Sequence, residues 1–241
     1  MKNREVIVAC DFSNGHELME FLELFGEKRP YLKIGMQLFY AEGPQIIKTI
    51  KKRGHKIFLD VKVHDIPTTV KKTMEVLSAL EIDMVNLHAS GGMEMMREGL
   101  EGLRNKEGKR PLLIAVTQLT STDQKTMKEE LLIDKDLDQV VLSYAKMALD
   151  AGLDGVVCSA LEAEKIHRLC GSDFLTVTPG IRFNQKTAGD QKRILSPKQA
   201  RLAGSDHIVV GRPITQAKEP LKEYLRCVHD FTGEDDESTG Y

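Results

Sequence analysis

Eight short runs rich in valine, isoleucine and leucine recur along the chain, with helical patterns between them. The runs are EVIVACD (5–11), YLKIGM (31–36), KIFLDVK (56–62), MVNLHA (84–89), LLIAVT (112–117), GVVCS (155–159), LTVTPG (175–180) and HIVVGR (207–212). Most are apolar on consecutive positions, the pattern of parallel strands buried on both faces. Segments such as HELMEFLELFG, PQIIKTIKKRG, TTVKKTMEVLSALE and DLDQVVLSYAKMALDAG place apolar residues at three- and four-residue steps, as amphipathic helices do. Several stop at FG, RG or AG, and glycine marks helix C-termini. A final helix, EPLKEYLRCVHDF, follows the eighth strand.

Eight strand–helix units without a linker, repeat array or low-complexity break predict one α/β domain, a (β/α)8 TIM barrel, over residues 1–232. A doubly wound open sheet usually has fewer strands at this length. The acidic tail GEDDESTGY (233–241) is expected to be a disordered, solubilising end. A length of 241 residues is ample for one large core. The net charge of −2 supplies no field to recruit nucleic acid or a membrane surface. An anionic ligand must therefore be held by local arginines and backbone amides. The four cysteines, Cys10, Cys158, Cys170 and Cys227, form no C-x-x-C pair and no metal-ligand spacing with histidine. Buried free thiols are the expectation, which suits a reducing, cytoplasmic setting. The N-terminus enters a strand directly without a signal-peptide core. No apolar run approaches the roughly 20 residues of a membrane span.

In a barrel of this kind, chemistry sits where strands end. Strand 1 ends in Asp11, strand 2 carries Lys33, and FLDVKVHDIP places Asp60 and Lys62 at the end of strand 3, with Asp65 just beyond. Strand 4 brings His88, strand 5 Thr117 and then Thr120, strand 7 Arg182, and strand 8 Gly211 and Arg212. So many charges at one mouth are costly unless they are paired or bind something. On a regular strand Asp60 and Lys62 point the same way. Neighbouring carboxylates favour the charged ammonium, whereas an imine-forming lysine needs the opposite. Lys62 therefore reads as a persistent cation and proton donor. His88 reads as a packed, hydrogen-bonded histidine, and the methionines of GGMEMMREGL as core. Two connections are long, QLTSTDQKTMKEELLIDKD after strand 5 and RFNQKTAGDQKR after strand 7. The second, with TPGIRF and VVGRPI, matches the usual barrel phosphate site after strands 7 and 8. There Gly211 lets backbone amides approach an oxyanion, and Arg212 can clamp it through two hydrogen bonds.

DVKVHDIP resembles the D-x-K-x-x-D-I motif of the orotidine 5′-phosphate decarboxylase family. ACDF, LKIGMQLF, NLHASGG, TQLTS, TPGIR and VVGRPI follow in family order, so the resemblance covers residues 5–231. It looks like the bacterial, monofunctional form, with no phosphoribosyltransferase domain attached. The resemblance implies decarboxylation of orotidine 5′-monophosphate to UMP, the last step of de novo pyrimidine synthesis, without metal or organic cofactor. It implies that Lys62 is the cation beside C6 and delivers the proton, and that Asp60 holds Lys62 near the substrate carboxylate. By the same resemblance, Lys33 is expected to join the charge array and reach the ribose, Asp11 to take a ribose hydroxyl, and Thr120 to face the pyrimidine edge. The resemblance also implies that Arg182, Gln191, Gly211 and Arg212 hold the phosphate, with the 182–193 loop closing over it. It further implies a homodimer in which Asp65 and Thr69 cross the interface to the partner's site. Thr68 stands where relatives often carry Asn, which leaves the contact at 68 open. The nearest rivals are magnesium-dependent superfamily members, a 3-keto-gulonate-6-phosphate decarboxylase or a hexulose-phosphate synthase. Those carry an acid at the end of strand 2, where this chain has Lys33. A catalytically dead barrel would be expected to lose Lys62 or one of its carboxylates.

Overall fold

The computed structural model describes residues 4–104, 110–183 and 194–233. Its eight parallel strands are β1 (Glu5–Cys10), β2 (Tyr31–Gly35), β3 (Ile57–Val63), β4 (Met84–His88), β5 (Leu112–Val116), β6 (Gly155–Val157), β7 (Leu175–Thr178) and β8 (His207–Val210). Each pairs with the next, and β1 pairs with β8, so the sheet closes into a barrel. The helices are α1 (Gly15–Glu23), α2 (Met36–Glu42), α3 (Pro44–Lys52), α4 (Pro67–Ser78), α5 (Gly92–Leu103), α6 (Gln124–Glu129), α7 (Leu137–Asp150), α8 (Ala163–Cys170), α9 (Pro197–Leu202), α10 (Arg212–Thr215) and α11 (Pro220–Thr232). Among the described residues no helix is long and apolar enough to cross a membrane.

The consecutive apolar runs divide by the two-residue period of a strand. Val6, Val8, Leu32, Leu59 and Val85 face outward and pack with helix residues such as Leu18, Ile47 and Val70 in one large core. Ile7, Ala9, Tyr31, Phe58, Met84 and Val209 face inward and form a separate plug inside the barrel. Each fully buried Leu or Ile side chain contributes about 1.5–3 kcal/mol relative to exposure. The inward register continues upward from the plug in steps of two, from Ala9 to Asp11, Tyr31 to Lys33, Phe58 to Asp60, Met84 to Asn86 and Val209 to Gly211. The same alternation that fills the barrel thus delivers polar groups to its mouth.

The N-terminal end is tied by a recurring device. Asp83, Asp154 and Asp206 each precede an even-numbered strand. Their carboxylates accept the backbone N–H of Ile57 at 2.7 Å, Leu113 at 2.7 Å and Thr176 at 2.8 Å on the preceding odd-numbered strand. Their own N–H groups donate to the carbonyls of Ile57, Leu113 and Thr176. Lys51, Arg110 and His167 respectively complete the three aspartates.

Helix stops follow their signals. Gly54 and Gly152 adopt φ of 85° and 89° beyond α3 and α7, the left-handed region that glycine enters without strain. The connection after β5 is not a bare loop. It folds α6, whose first turn is capped by the Asp123 carboxylate accepting the Thr126 N–H at 2.8 Å. β6 is shorter than its apolar run because Ser159 leaves the ladder to form a capping box with Glu162. All four cysteines are free; Cys10, Cys158 and Cys227 are buried as expected, but Cys170 is only half-buried in the last turn of α8. Met95 and Met96 are buried in the core. Of the proposed tail, residues 234–241 lie outside the described residues.

Candidate active site

At the C-terminal mouth, four charges alternate across three adjacent strands. The Lys33 Nζ donates to Asp11 Oδ1 at 2.8 Å and lies 3.3 Å from Asp60 Oδ2. The Lys62 Nζ donates to Asp60 Oδ1 at 2.6 Å. The row runs Asp11, Lys33, Asp60, Lys62, and its interior pair, Lys33 and Asp60, is buried. Burial alone would raise the Asp60 carboxyl, but the Lys33 and Lys62 cations and hydrogen bonds from Lys62 and Asn86 hold it below its ordinary value. Burial alone would lower the Lys33 ammonium, but the Asp60 and Asp11 carboxylates raise it above its ordinary value. Both groups are therefore charged at neutral pH.

These side chains line a cavity of about 720 Å³, within the size range of small-ligand sites. Phe58, Val116, Val157 and Val209 make its apolar floor. Thr120, Arg182, Gly211 and Arg212 also line the cavity. Arg182 is buried, with its Nη1 donating to the Ile181 carbonyl at 2.7 Å and its backbone N–H donating to the Leu195 carbonyl at 3.0 Å. Gly211 has φ −103° and would place an added methyl 3.4 Å from the Ala9 side chain, an ordinary contact. Packing does not demand glycine there, and Gly211 lines the cavity. Gln191 lies outside the described residues.

Asp60 and Lys62 meet, but not through regular alternation. The β3–β4 pairing breaks between Leu59 and Val63, and Lys62 takes φ 48°. That left-handed conformation costs a side-chain-bearing residue roughly 1–2 kcal/mol. Strain of this sort survives where the surroundings over-determine it, typically at functional sites. His88 does not meet its expected hydrogen-bonded role: among the described residues no hydrogen bond to its ring is seen. The ring is half-buried 5.7 Å from that of His64. Burial first, then the neighbouring His64 and Lys62, lower its pKa from the ordinary value of 6.5.

Asp65 and Thr69 stand apart from the cavity. Both are exposed, and the Asp65 carboxylate accepts the N–H of Ile66 at 2.7 Å. Beside them Ile66 is 67% exposed.

Sequence reasoning missed several residues of the site. Gln118, Ser121 and Gln216 line the cavity; the first two lie in TQLTS, a motif whose threonine drew attention instead. Asn86 hydrogen-bonds Asp60 and the Lys62 backbone, and Gly35 leaves space beside Asp11 and Lys33. Asn86 shares the inward phase of Met84 and His88 on β4, a signal hidden inside an apolar run. Among the described residues no group of three or more His, Cys, Asp or Glu side chains is placed to hold a metal ion.

Comparison with known proteins places these features in a family. The pattern described as "Orotidine 5'-phosphate decarboxylase / HUMPS family" matches residues 4–227. An orotidine 5′-phosphate decarboxylase of Bacillus cereus (strain G9842) is 52% identical over 234 residues, covering 96% of this chain and 98% of the relative. The enzyme of the same name from Bacillus cytotoxicus is also 52% identical over 96% of this chain and 98% of its own length. Among solved structures, orotidine 5′-phosphate decarboxylase from Lactobacillus acidophilus superposes with a TM-score of 0.85 at 41% identity, covering 95% of this chain and 99% of that one. An uncharacterized conserved protein from Geobacillus kaustophilus gives 0.84 at 44% identity, covering 94% and 99%.

Proposed function

The chain belongs to the orotidine 5′-phosphate decarboxylase / HUMPS family, and from that premise we propose that it converts orotidine 5′-monophosphate to UMP and CO2. The observation that carries this reading is the alternating row Asp11–Lys33–Asp60–Lys62 over an apolar cavity floor. In the proposed reaction the bond from C6 to the carboxylate breaks, CO2 leaves, and the electron pair stays on C6. The Lys62 ammonium lies beside that carbon, stabilises the developing charge and donates a proton to it. Fixed charges in a site shielded from water act more strongly than they would in bulk solvent. Asp60 orients Lys62, Lys33 orients Asp60 and reaches the ribose with Asp11, and Thr120 faces the pyrimidine edge. Arg182, Gln191, Gly211 and Arg212 take the phosphate, so that binding energy far from C6 is used at C6.

The reaction is proposed to need no metal or organic cofactor. Lys33, paired to both Asp11 and Asp60, occupies the strand-2 position where the magnesium-dependent relatives carry an acid, and an ammonium there repels a cation. We further propose a homodimer in which Asp65 and Thr69 serve the partner's site, supported by their exposure away from their own cavity. A cytoplasmic location fits the four free thiols.

The test is the loss of orotidine monophosphate absorbance with EDTA-treated enzyme. Wild-type turnover is expected to persist in chelator, and Lys62→Ala to lose at least about a thousand-fold in kcat while UMP binding survives. Turnover abolished by EDTA and restored by magnesium would overturn the reading in favour of the metal-dependent relatives.

A further inference from the structure

The Asn86 side chain sits where the β3–β4 ladder fails. Pairing runs Phe58 to Met84 and Leu59 to Val85, then resumes only at Val63 to Leu87, so β3 advances four residues where β4 advances two. Lys62 falls in that interval, and of the three non-glycine residues with positive φ among the described residues it alone lies in a strand. Opposite it, Asn86 Oδ1 accepts the Lys62 backbone N–H at 2.8 Å. The Asn86 Nδ2 donates to Asp60 Oδ1 at 2.7 Å, the same oxygen that accepts the Lys62 Nζ at 2.6 Å. One amide therefore grips Lys62 by its backbone and Asp60 by its carboxylate. Asn86 is fully buried and does not line the cavity. Whatever it does for the reaction, it does through those two residues.

We propose that Asn86 is a positioning residue that holds Lys62 in its left-handed backbone conformation and keeps its ammonium on Asp60; this rests on the decarboxylase reading above. The chemistry of the clamp is specific. The Lys62 N–H requires an acceptor and the Asp60 carboxylate a donor, two atoms apart on one planar group. A carboxylate in its place would still accept the N–H but would set a second negative charge against Asp60. Glutamine carries the same amide one methylene too far. Alanine leaves the part-buried Lys62 N–H without that partner, and Lys62 free to return to regular β geometry.

Two variants test this, with wild type alongside. Asn86→Ala is expected to lose about a hundred-fold in kcat, as a misplacement of the reacting group on the order of 1 Å does. Its affinity for UMP should stay within a few-fold, because the phosphate and ribose contacts do not pass through position 86. Asn86→Asp is isosteric and gives the sharper reading. Its new carboxyl, once protonated, can donate to Asp60 while its other oxygen accepts the Lys62 N–H. Its kcat relative to wild type should therefore rise as the pH is lowered, a limb the wild type lacks. A merely structural asparagine would move the thermal transition and leave this pH ratio flat. A flat ratio, or an Asn86→Ala kcat within threefold of wild type, overturns the proposal even if orotidine monophosphate is turned over normally. A wild type that does not turn over orotidine monophosphate at all refutes the underlying reading, and the positioning role falls with it.

Discussion

A methyl group added at position 35 would lie 3.0 Å from Asp11 Oδ1 and 3.1 Å from Lys33 Nζ. Gly35 has φ −86°, which any residue adopts, so space and not conformation explains the glycine. Its missing side chain leaves room for the first ion pair of the row. Gly35→Ala is expected to fold with a near-wild-type thermal transition but to lose roughly ten-fold in kcat/KM, because the Asp11–Lys33 pair must shift by a few tenths of an ångström. A kinetically silent Gly35→Ala, measured in the same absorbance assay, would show that the row tolerates displacement there. At this scale the charged residues were legible because acids and lysines at the ends of apolar runs are conspicuous. Gly35 and Asn86 were not, since one contributes an absence and the other a cross-strand contact that linear spacing does not reveal.

Among elements, three strand pairs are tied by aspartates at the end of the barrel opposite the cavity. Asp154 accepts from Arg110 at 2.5 and 2.9 Å through its two oxygens, and from the Leu113 N–H at 2.7 Å. Asp154→Ala strips a partner from a strand amide and from a guanidinium, and should cost about 2–3 kcal/mol. For a chain of this size that lowers the thermal transition by roughly 5–10 °C, while kcat stays at the wild-type value. A fall in kcat with an unchanged transition would contradict this division of labour between the two barrel ends. The eight strands and the long helices were readable from periodicity, but α2, α6 and α9 were not singled out. Each is only six or seven residues long. That is too short for helical periodicity to repeat, so their caps and packing decide them.

For the whole molecule, closure of β8 onto β1 brings residues more than a hundred positions apart around one cavity. The mouth still presents exposed apolar groups outside that cavity: Ile66 beside Asp65, and Tyr40 on α2, which is 70% exposed. With the proposed exchange of Asp65 across a two-fold dimer, Lys62→Ala and Asp65→Ala chains are each inactive alone. Mixed in equal amounts and allowed to exchange, they should recover about a quarter of wild-type activity, because half the dimers then hold one intact site. No recovery after demonstrated exchange would place Asp65 in its own chain's chemistry or in none. The sequence by itself determined the strand count, the parallel barrel and the identity of the four charges, because buried strands and strand-end charges are local patterns along the chain. Only the tertiary structure decided how those charges connect. The break in the β3–β4 ladder, the left-handed Lys62, the Asn86 clamp and the space at Gly35 all arise between strands. Contacts across a ladder depend on register, which no single strand carries.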